Sequence, residues 1–292
     1  MSDPPVTIIL RSFNEAWALR ETLPALKAQD YANQELIVID SGSSDGSPEL
    51  IRRASPRHFV QILPHDYKPG RVLNTGMALA RTEIAIFLNA DATPQGPGWL
   101  RPLVEALRDP GTAAVFGRQI PRPGCRAVFA ADYDRCFGER RESARWEHFF
   151  SMVSSGLRRE IWERRGFLES LQYSEDDEFA RWCRAQGRRV AYCPSSVVMH
   201  SHNYTPRQAY KRSFGEAWAL HAMGAAPRTE ASGWPSLALG WLNDSRRDLA
   251  FCLRAGRLLE WPRDRRIRWA QRCGRADGAR AGASMHPGEV AA

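Results

Sequence analysis

Three stretches of the chain gather residue types that can bind a charged ligand or move a proton. The first is a set of polar runs: Arg11-Ser12-Phe13-Asn14-Glu15, Asp40-Ser41-Gly42-Ser43-Ser44-Asp45-Gly46 and Asn89-Ala90-Asp91. A carboxylate such as Asp40 can accept hydrogen bonds from a base or ribose, and Phe13 offers a face on which a base can stack. Gly42 and Gly46 permit tight backbone turns close to a ligand. Oxygen ligands at Asn89-Ala90-Asp91 can hold Mg²⁺ or Mn²⁺. Such an ion binds a diphosphate and offsets the charge it gains as a sugar bond breaks. A single acidic loop would carry little weight, because Asp and Ser are common turn residues. Three in strand register carry more.

The second stretch is Glu175-Asp176-Asp177-Glu178, which opens the run FARWCRAQG. Acids at a helix start complement the helix dipole, and that accounts for Asp177 and Glu178. It accounts less well for the cluster's place after the aromatic and apolar segment Phe167 to Tyr173. Asp176 is therefore the candidate base that takes a proton from an acceptor hydroxyl, with Glu175 as its neighbour in the site. The third stretch is Val197-Val198-Met199-His200-Ser201-His202-Asn203-Tyr204. Two histidines at i and i+2 point the same way if a strand continues through them. A structural role and a metal or phosphate role both stay open, and either His200 or His202 could complete a metal's coordination beside Asp91.

These residues need elements to hold them. Val6 to Leu10, Glu35 to Asp40, Phe59 to Leu63 and Glu83 to Asn89 are short β-branched apolar runs, suited to strands buried on both faces. Helical patterns lie between them at 16–28, 47–54 and 71–80, with Ser47 before Pro48 reading as an N-cap. Such alternation predicts a largely parallel sheet, in which ligands sit beyond the carboxyl ends of the strands. Every candidate run above falls at such an end or later. After Gly124 the pattern loosens: further strands are expected at 113–120 and 190–193, and a helix at 177–186. From Pro206 the chain reads as helical, with a weakly ordered Gly- and Ala-rich end at 275–292.

The ordered motifs SFNE, IDSGSSDGS, FLNADATP, GFLESLQYSEDDEFARWCRAQG and VVMHSHNY resemble the inverting glycosyltransferase family 2, from about Val6 to Gly215. The HSHNY ending is most similar to the family's bacterial rhamnosyltransferase-like branch. The resemblance implies the α/β GT-A fold: a mostly parallel central sheet flanked by helices, here with a helical C-terminal extension. It implies a nucleoside-diphosphate sugar donor, a saccharide or lipid-linked acceptor, and Mn²⁺ or Mg²⁺ as cofactor. By the same resemblance Phe13, Glu15 and Asp40 lie where the family contacts the nucleobase and the loop near it. Arg71 and Asn74, in GRVLNTG, match a loop that approaches the donor. Asn89 stands where the family's DXD metal motif has its first Asp, and Asp91 matches the second. Asp176 matches the Asp taken as the base, and His200 a histidine that closes the metal and diphosphate site. No QxxRW motif is present, which points to addition of single sugars rather than processive synthesis.

Two other functions fit the sequence less well. A sugar nucleotidyltransferase would carry a GxGxR loop after its first strand, where this chain has SFNEAW. A degenerate, non-catalytic nucleotide-sugar-binding protein finds some room in Asn89, but Asp91, Glu175, Asp176 and His200 argue against it.

Composition narrows the setting. With 292 residues, 43% hydrophobic and 25% charged, the chain suits a globular α/β protein. Its start lacks the basic and apolar run of a signal peptide, and it has no stretch of about 18 apolar residues. Its six cysteines form no CxxC pair, which suits reduced thiols in a cytosolic protein. The formal charge of +8 is concentrated at the end: 15 Arg or Lys against 8 Asp or Glu from Thr205 onward. The expected division is a catalytic domain at 1–205, a basic and aromatic extension at 206–274 and a disordered tail at 275–292. Apolar residues such as Trp218, Trp234, Leu239, Trp241, Leu253 and Trp261 lie among the arginines of the extension. They suit either a helix lying on an anionic membrane surface or packing within the protein, so a place at the inner face of the cytoplasmic membrane is one expectation. A high pI alone does not warrant a nucleic-acid partner, and none is expected.

Overall fold

The computed structural model describes residues 3–139, 141–146, 149–225 and 233–284. The chain forms two compact units. The first comprises 1–120, 137–169 and 175–200; the second comprises 121–136, 170–174 and 201–292. These units interleave along the chain, whereas the division expected from sequence is a single boundary at residue 205. The physical reason is that 121–136 makes its hydrogen bonds with the C-terminal helices, as described below.

In the first unit β1 (Val6–Ser12), β2 (Gln34–Asp40), β3 (His58–Gln61) and β4 (Ile84–Asn89) pair in parallel. Their crossovers are α1 (Ala16–Lys27), α2 (Ser47–Arg53) and α3 (Pro69–Leu79). Along the chain there follow β5 (Thr93–Pro94), α4 (Leu100–Leu107), β6 (Thr112–Ile120), α5 (Ala127–Phe137, all but its last residue in the second unit), β7 (Ser154–Arg158), α6 (Arg159–Arg164), α7 (Glu175–Ala185) and β8 (Arg189–Met199). The eight-stranded sheet has the order β3-β2-β1-β4-β7-β6-β8-β5. Ile8, Ile9, Leu10, Ile37, Val38, Ile86 and Phe87 are buried, as expected of strands covered on both faces. Strand order reverses between β1 and β4, which opens a crevice at their carboxyl ends.

Two devices steer the later strands. β8 carries an extra stretch, Pro194 to Ser196, between the residues that pair with Gly117 and Arg118 of β6. A Cβ on Gly117 would lie 2.6 Å from the Ser196 carbonyl oxygen, so the bulge requires glycine there. β5, which follows Asp91 closely, then pairs antiparallel with the end of β8, Thr93 opposite Met199. That pairing brings the Asp91 loop to the β8 terminus. The expected strand at 190–193 is the first part of β8, and Pro194 marks the bulge rather than an end. At the start of α2 the cap is Gly46, in the left-handed region at φ +89°, and Ser47 is the first helical residue.

The second unit contains most of α5 together with α8 (Pro206–Ala222), α9 (Trp234–Arg254) and α10 (Trp261–Ala283). Residues 275–283, expected in a weakly ordered tail, are the last turns of α10; residues 285–292 lie outside the described residues. Their glycines and alanines serve close helix packing. A Cβ on Gly274, Gly278 or Gly282 would lie 2.2–2.3 Å from the carbonyl oxygens of Tyr210, Phe214 and Trp218 on α8. Charged residues tie the same helices to α5. Glu260 and Asp264 accept the backbone N–H groups of Ala127 and Val128, both at 3.0 Å, capping α5. The buried Arg268 guanidinium donates to both Asp248 carboxylate oxygens at 2.7 Å and to Asp132 at 2.8 Å. No helix among the described residues is long and apolar enough to cross a membrane.

Candidate active site

The crevice holds a cleft of about 350 Å³ lined by Arg11, Ser12, Phe13, Glu15, Ser41, Pro64, Tyr67 and Asn89. Its walls are the carboxyl ends of β1, β2 and β4 and the turn after β3. Phe13 is half exposed and Tyr67 partly so, leaving two aromatic faces open to a ligand. Two of the loops are laced together. Asn14 N–H donates to Ser43 Oγ (2.7 Å), and Asn14 Oδ1 accepts from Ser44 N–H (2.9 Å). Glu15 N–H donates to Ser47 Oγ (3.1 Å) and Ala16 N–H to Asp45 Oδ2 (2.9 Å). Burial opposes charge on Asp45, but hydrogen bonds from Ser47 and Ala16 outweigh it and hold the carboxyl below its ordinary range.

Asp40 is fully buried and accepts from the N–H groups of Gly42 (3.2 Å) and Ser43 (2.8 Å), from the Ser43 hydroxyl, and from Gln61 Nε2 (3.3 Å). It shapes the loop, and Ser41 is the residue that lines the cleft at that strand end. Asn89 orients Arg11, whose Nε and Nη2 donate to Asn89 Oδ1 at 3.1 and 2.7 Å. The same guanidinium lies 3.8 Å from Glu175 Oε1, so it spans from the β4 end to the acidic helix start.

Asp176 follows Glu175 in the first turn of α7, just after Ser174, whose φ of +61° turns the chain sharply. Its Oδ2 accepts the Met152 N–H at 3.4 Å and its Oδ1 the Asp177 N–H at 2.9 Å. Burial pushes its carboxyl above the ordinary range, against the backbone N–H bonds and the Arg11 charge. Glu178, by contrast, is paired with Arg165 in a two-pronged contact at 2.6 and 2.8 Å, a structural role as expected.

Asp91 and His200 are both buried, with Asp91 Oδ2 3.4 Å from His200 Nε2. His200 Nδ1 meets Gln119 Oε1 at 2.9 Å, and Gln119 Nε2 donates to Ser151 Oγ at 2.8 Å. β8 ends at Met199, so the two histidines do not share a strand face. His202 is nonetheless close by virtue of its place two residues along the chain. One ligand atom each from Asp91, His200 and His202 lie within 4.8 Å of one another. One carboxylate and two imidazoles within that span fit a divalent cation, and the imidazoles suit Mn²⁺ better than the oxygen-seeking Mg²⁺. Burial, followed by the Asp91 charge, pushes the nearby Glu15 carboxyl up to about 8.

Of the residues expected in the site, Phe13, Glu15 and Asn89 line the cleft, whereas Asp40, Arg71, Asn74, Asp91, Glu175, Asp176, His200 and His202 do not. Asn74 accepts from Trp162 Nε1 (3.0 Å) and Phe167 N–H (2.9 Å), and donates to Phe167 O (2.9 Å) and Glu169 Oε1 (3.0 Å). Arg71 pairs with Glu169 at 3.2 Å. Both hold the 162–169 segment against α3. Tyr67, Pro64 and Gln119 lie outside the runs that the sequence marks as candidate sites, and Ser41 enters there only as a member of the run that begins at Asp40. Tyr67 and Pro64 follow a short strand that gave no site signal, and Gln119 lies in an apolar run whose partner strand is some 80 residues away.

Comparison with known proteins identifies the family and the fold. The family model for glycosyl transferase family 2 matches residues 7–166. The O-antigen chain rhamnosyltransferase RfbN of Salmonella typhimurium is 32% identical over 230 residues, 74% of this chain and 72% of that protein. The O-antigen chain rhamnosyltransferase WbaN of Salmonella anatum is 29% identical over 231 residues, 75% and 73% of the two chains. Among solved structures, the mannosyltransferase PcManGT of Pyrobaculum calidifontis, in complex with GDP-Man and Mn²⁺, superposes with a TM-score of 0.61 at 24% identity. That match covers 88% of this chain and 76% of that one, a likeness of fold.

Proposed function

From its membership of glycosyl transferase family 2 and its GT-A fold, we propose that this chain transfers one sugar at a time from a nucleoside-diphosphate sugar to an acceptor hydroxyl, with inversion. The observation that supports the proposal is the grouping of Asp91, His200 and His202 within 4.8 Å, in a chain whose strand-end cleft is bordered by Asn89, two residues before Asp91. Phe13 and Tyr67 take the base between aromatic faces, and Ser41 borders it. Asp40 acts by shaping the loop that carries Ser41. Arg71 and Asn74 act by holding the 162–169 segment that leads toward α7. Arg11, fixed by Asn89, presents its guanidinium to the cleft beside Glu175.

Asp176 takes the proton of the acceptor hydroxyl as that oxygen bonds to the anomeric carbon. The bond from that carbon to the diphosphate oxygen breaks on the opposite face, and the electron pair leaves with the diphosphate. A Mn²⁺ or Mg²⁺ held by Asp91, His200 and His202 would offset the charge gained by the leaving diphosphate. The relatives named as O-antigen chain rhamnosyltransferases favour a rhamnosyl donor and an acceptor that belongs to a surface polysaccharide, free or lipid-linked. For a lipid-linked acceptor, the outward face of α9 is the proposed contact with an anionic membrane at its cytoplasmic side.

The deciding experiment is a thermal-shift screen of dTDP-, UDP-, GDP- and CMP-sugars, each with and without Mn²⁺. A ligand of the folded state raises the melting temperature by mass action. A shift from one nucleotide series that requires Mn²⁺ is the expected result. Absence of any shift at millimolar donor with the metal present would overturn the proposal.

A further inference from the structure

We propose that Gln119 is a positioning residue: it fixes the proton of His200 on Nδ1, so that Nε2 faces Asp91 as a ligand. The proposal rests on the cation-binding reading of Asp91, His200 and His202 given above. β6 and β8 pair in parallel with Gln119 opposite Val198, and His200 N–H donates to Ile120 O at 2.9 Å. The Gln119 amide is therefore held beside the imidazole by the sheet, and it is buried there.

A primary amide has a donor end and an acceptor end. With Nε2 donating to Ser151 Oγ at 2.8 Å, the carbonyl end faces His200 Nδ1 at 2.9 Å. A carbonyl oxygen only accepts, so the ring must carry its proton on Nδ1. In the neutral ring that leaves a lone pair on Nε2, 3.4 Å from the Asp91 carboxylate. A lone pair and a carboxylate oxygen facing each other form half a cation site. An outer partner that holds the far nitrogen is what makes an imidazole a well-oriented ligand. The opposite amide orientation would have the opposite effect. It would put the proton on Nε2, hydrogen-bond it to Asp91 and close the site to a cation.

Gln119 also reaches the other half of the site. Its partner Ser151 precedes Met152, whose N–H meets Asp176 Oδ2 at 3.4 Å. One buried amide thus stands between the imidazole and the backbone that touches the proposed base.

The test is long-range ¹H–¹⁵N NMR of the histidine rings in the cation-free chain, paired with Mn²⁺ titration followed by electron paramagnetic resonance. The wild-type protein is expected to show His200 protonated on Nδ1. Gln119→Met should lose that single ring state and bind Mn²⁺ about 10- to 100-fold more weakly. Gln119→Glu, which keeps an acceptor toward Nδ1, should restore most of the affinity. Ser151→Ala frees the amide to turn over while leaving the core side chain in place, and should scramble the ring state if Gln119→Met fails to fold. An Nε2-protonated His200 in the wild type, or undiminished Mn²⁺ affinity in a folded Gln119→Met, would overturn the proposal. A wild-type chain that binds no Mn²⁺ while its His200 is protonated on Nδ1 would instead remove the cation reading and leave the ring-setting role intact.

Discussion

Glu15 and Asp176 are carboxyls whose negative charge the protein resists, and each gives the site its own pH response. For Glu15, burial and the Asp91 charge push the folded-state value from 4.5 up to about 8. Below pH 4.5 the group is protonated in both folded and unfolded chains and has no effect on stability. Between 4.5 and 8 the unfolded chain releases the proton and the folded one keeps it, so stability falls as pH rises through that window. The cation-free Glu15→Gln variant should therefore gain melting temperature on wild type as pH is raised from 5 to 8. For Asp176, burial raises the value and the Arg11 charge lowers it. Arg11→Gln should move the acidic limb of the kcat/KM profile to higher pH, because the base then protonates more readily. Asp176→Asn should lower kcat by roughly 10²- to 10⁴-fold with the fold intact, and an enzyme that kept most of its turnover would remove Asp176 from the role. Asp91, His200 and Asp176 stand out in the sequence as candidates because each follows or opens a recognisable element, and the structure brings Asp91 and His200 within 3.4 Å. Of the lacing residues, Ser43 and Asp45 were visible only as turn formers and Ser47 only as a helix cap. Asn74 shows the converse: its motif suggested a ligand contact, while its amide is engaged on both sides by the 162–169 segment.

At the scale of elements, the parallel half of the sheet was legible because β1, β2 and β4 are unbroken apolar runs between turn signals. β7 was not, since SSGLR has no period and its pairing is antiparallel with strands far away in sequence. β5 is only two residues long, and no local pattern announces a strand that short. The end of α10 departs from the expectation for a different reason. Glycine disfavours a helix in isolation, by about 1 kcal/mol relative to alanine, and composition alone suggested a loose tail. The packing against α8 outweighs that preference. Gly278→Ala should accordingly destabilise the protein by about 1–3 kcal/mol, opposite in sign to the effect at an exposed helix position, because its Cβ would sit 2.2 Å from the Phe214 carbonyl oxygen. Urea denaturation of the variant checks it; unchanged or raised stability would show that α8 and α10 can move apart at little cost.

At the scale of the whole molecule, the basic extension separates into two populations that composition could not distinguish. Arg268, Arg272, Arg275 and Arg280 lie within 4 Å of carboxylates. Some of those partners are far off in sequence, such as Asp132 for Arg268. Trp241 and Trp261 likewise face inward, donating to the carbonyls of Arg265 (3.0 Å) and Ser245 (2.8 Å). Leu239, Leu242 and Leu253 instead share the outward side of α9 with Arg246, and Leu259 in the turn beyond is 91% exposed. Outward leucines with an intervening arginine suit the proposed contact with an anionic bilayer. The full chain should float with vesicles containing phosphatidylglycerol, and replacing Leu239, Leu242 and Leu253 together by Ser should weaken binding at least ~10-fold, the equivalent of about 1.4 kcal/mol. Equal flotation of both proteins would sink the assignment of that face.

The glycines of α10 recur every fourth residue, and a periodic contact has a property that a single one lacks. Sliding α10 by one repeat along α8 would return two of the three glycines beneath carbonyl oxygens, so the repeat dictates how near the helices come but leaves their offset degenerate. The degeneracy is broken by groups that occur once, such as Tyr210 Oη donating to Asp277 Oδ2 at 2.7 Å. Distance and address are thus written in different residues, and Tyr210→Phe alters the second while leaving the first untouched.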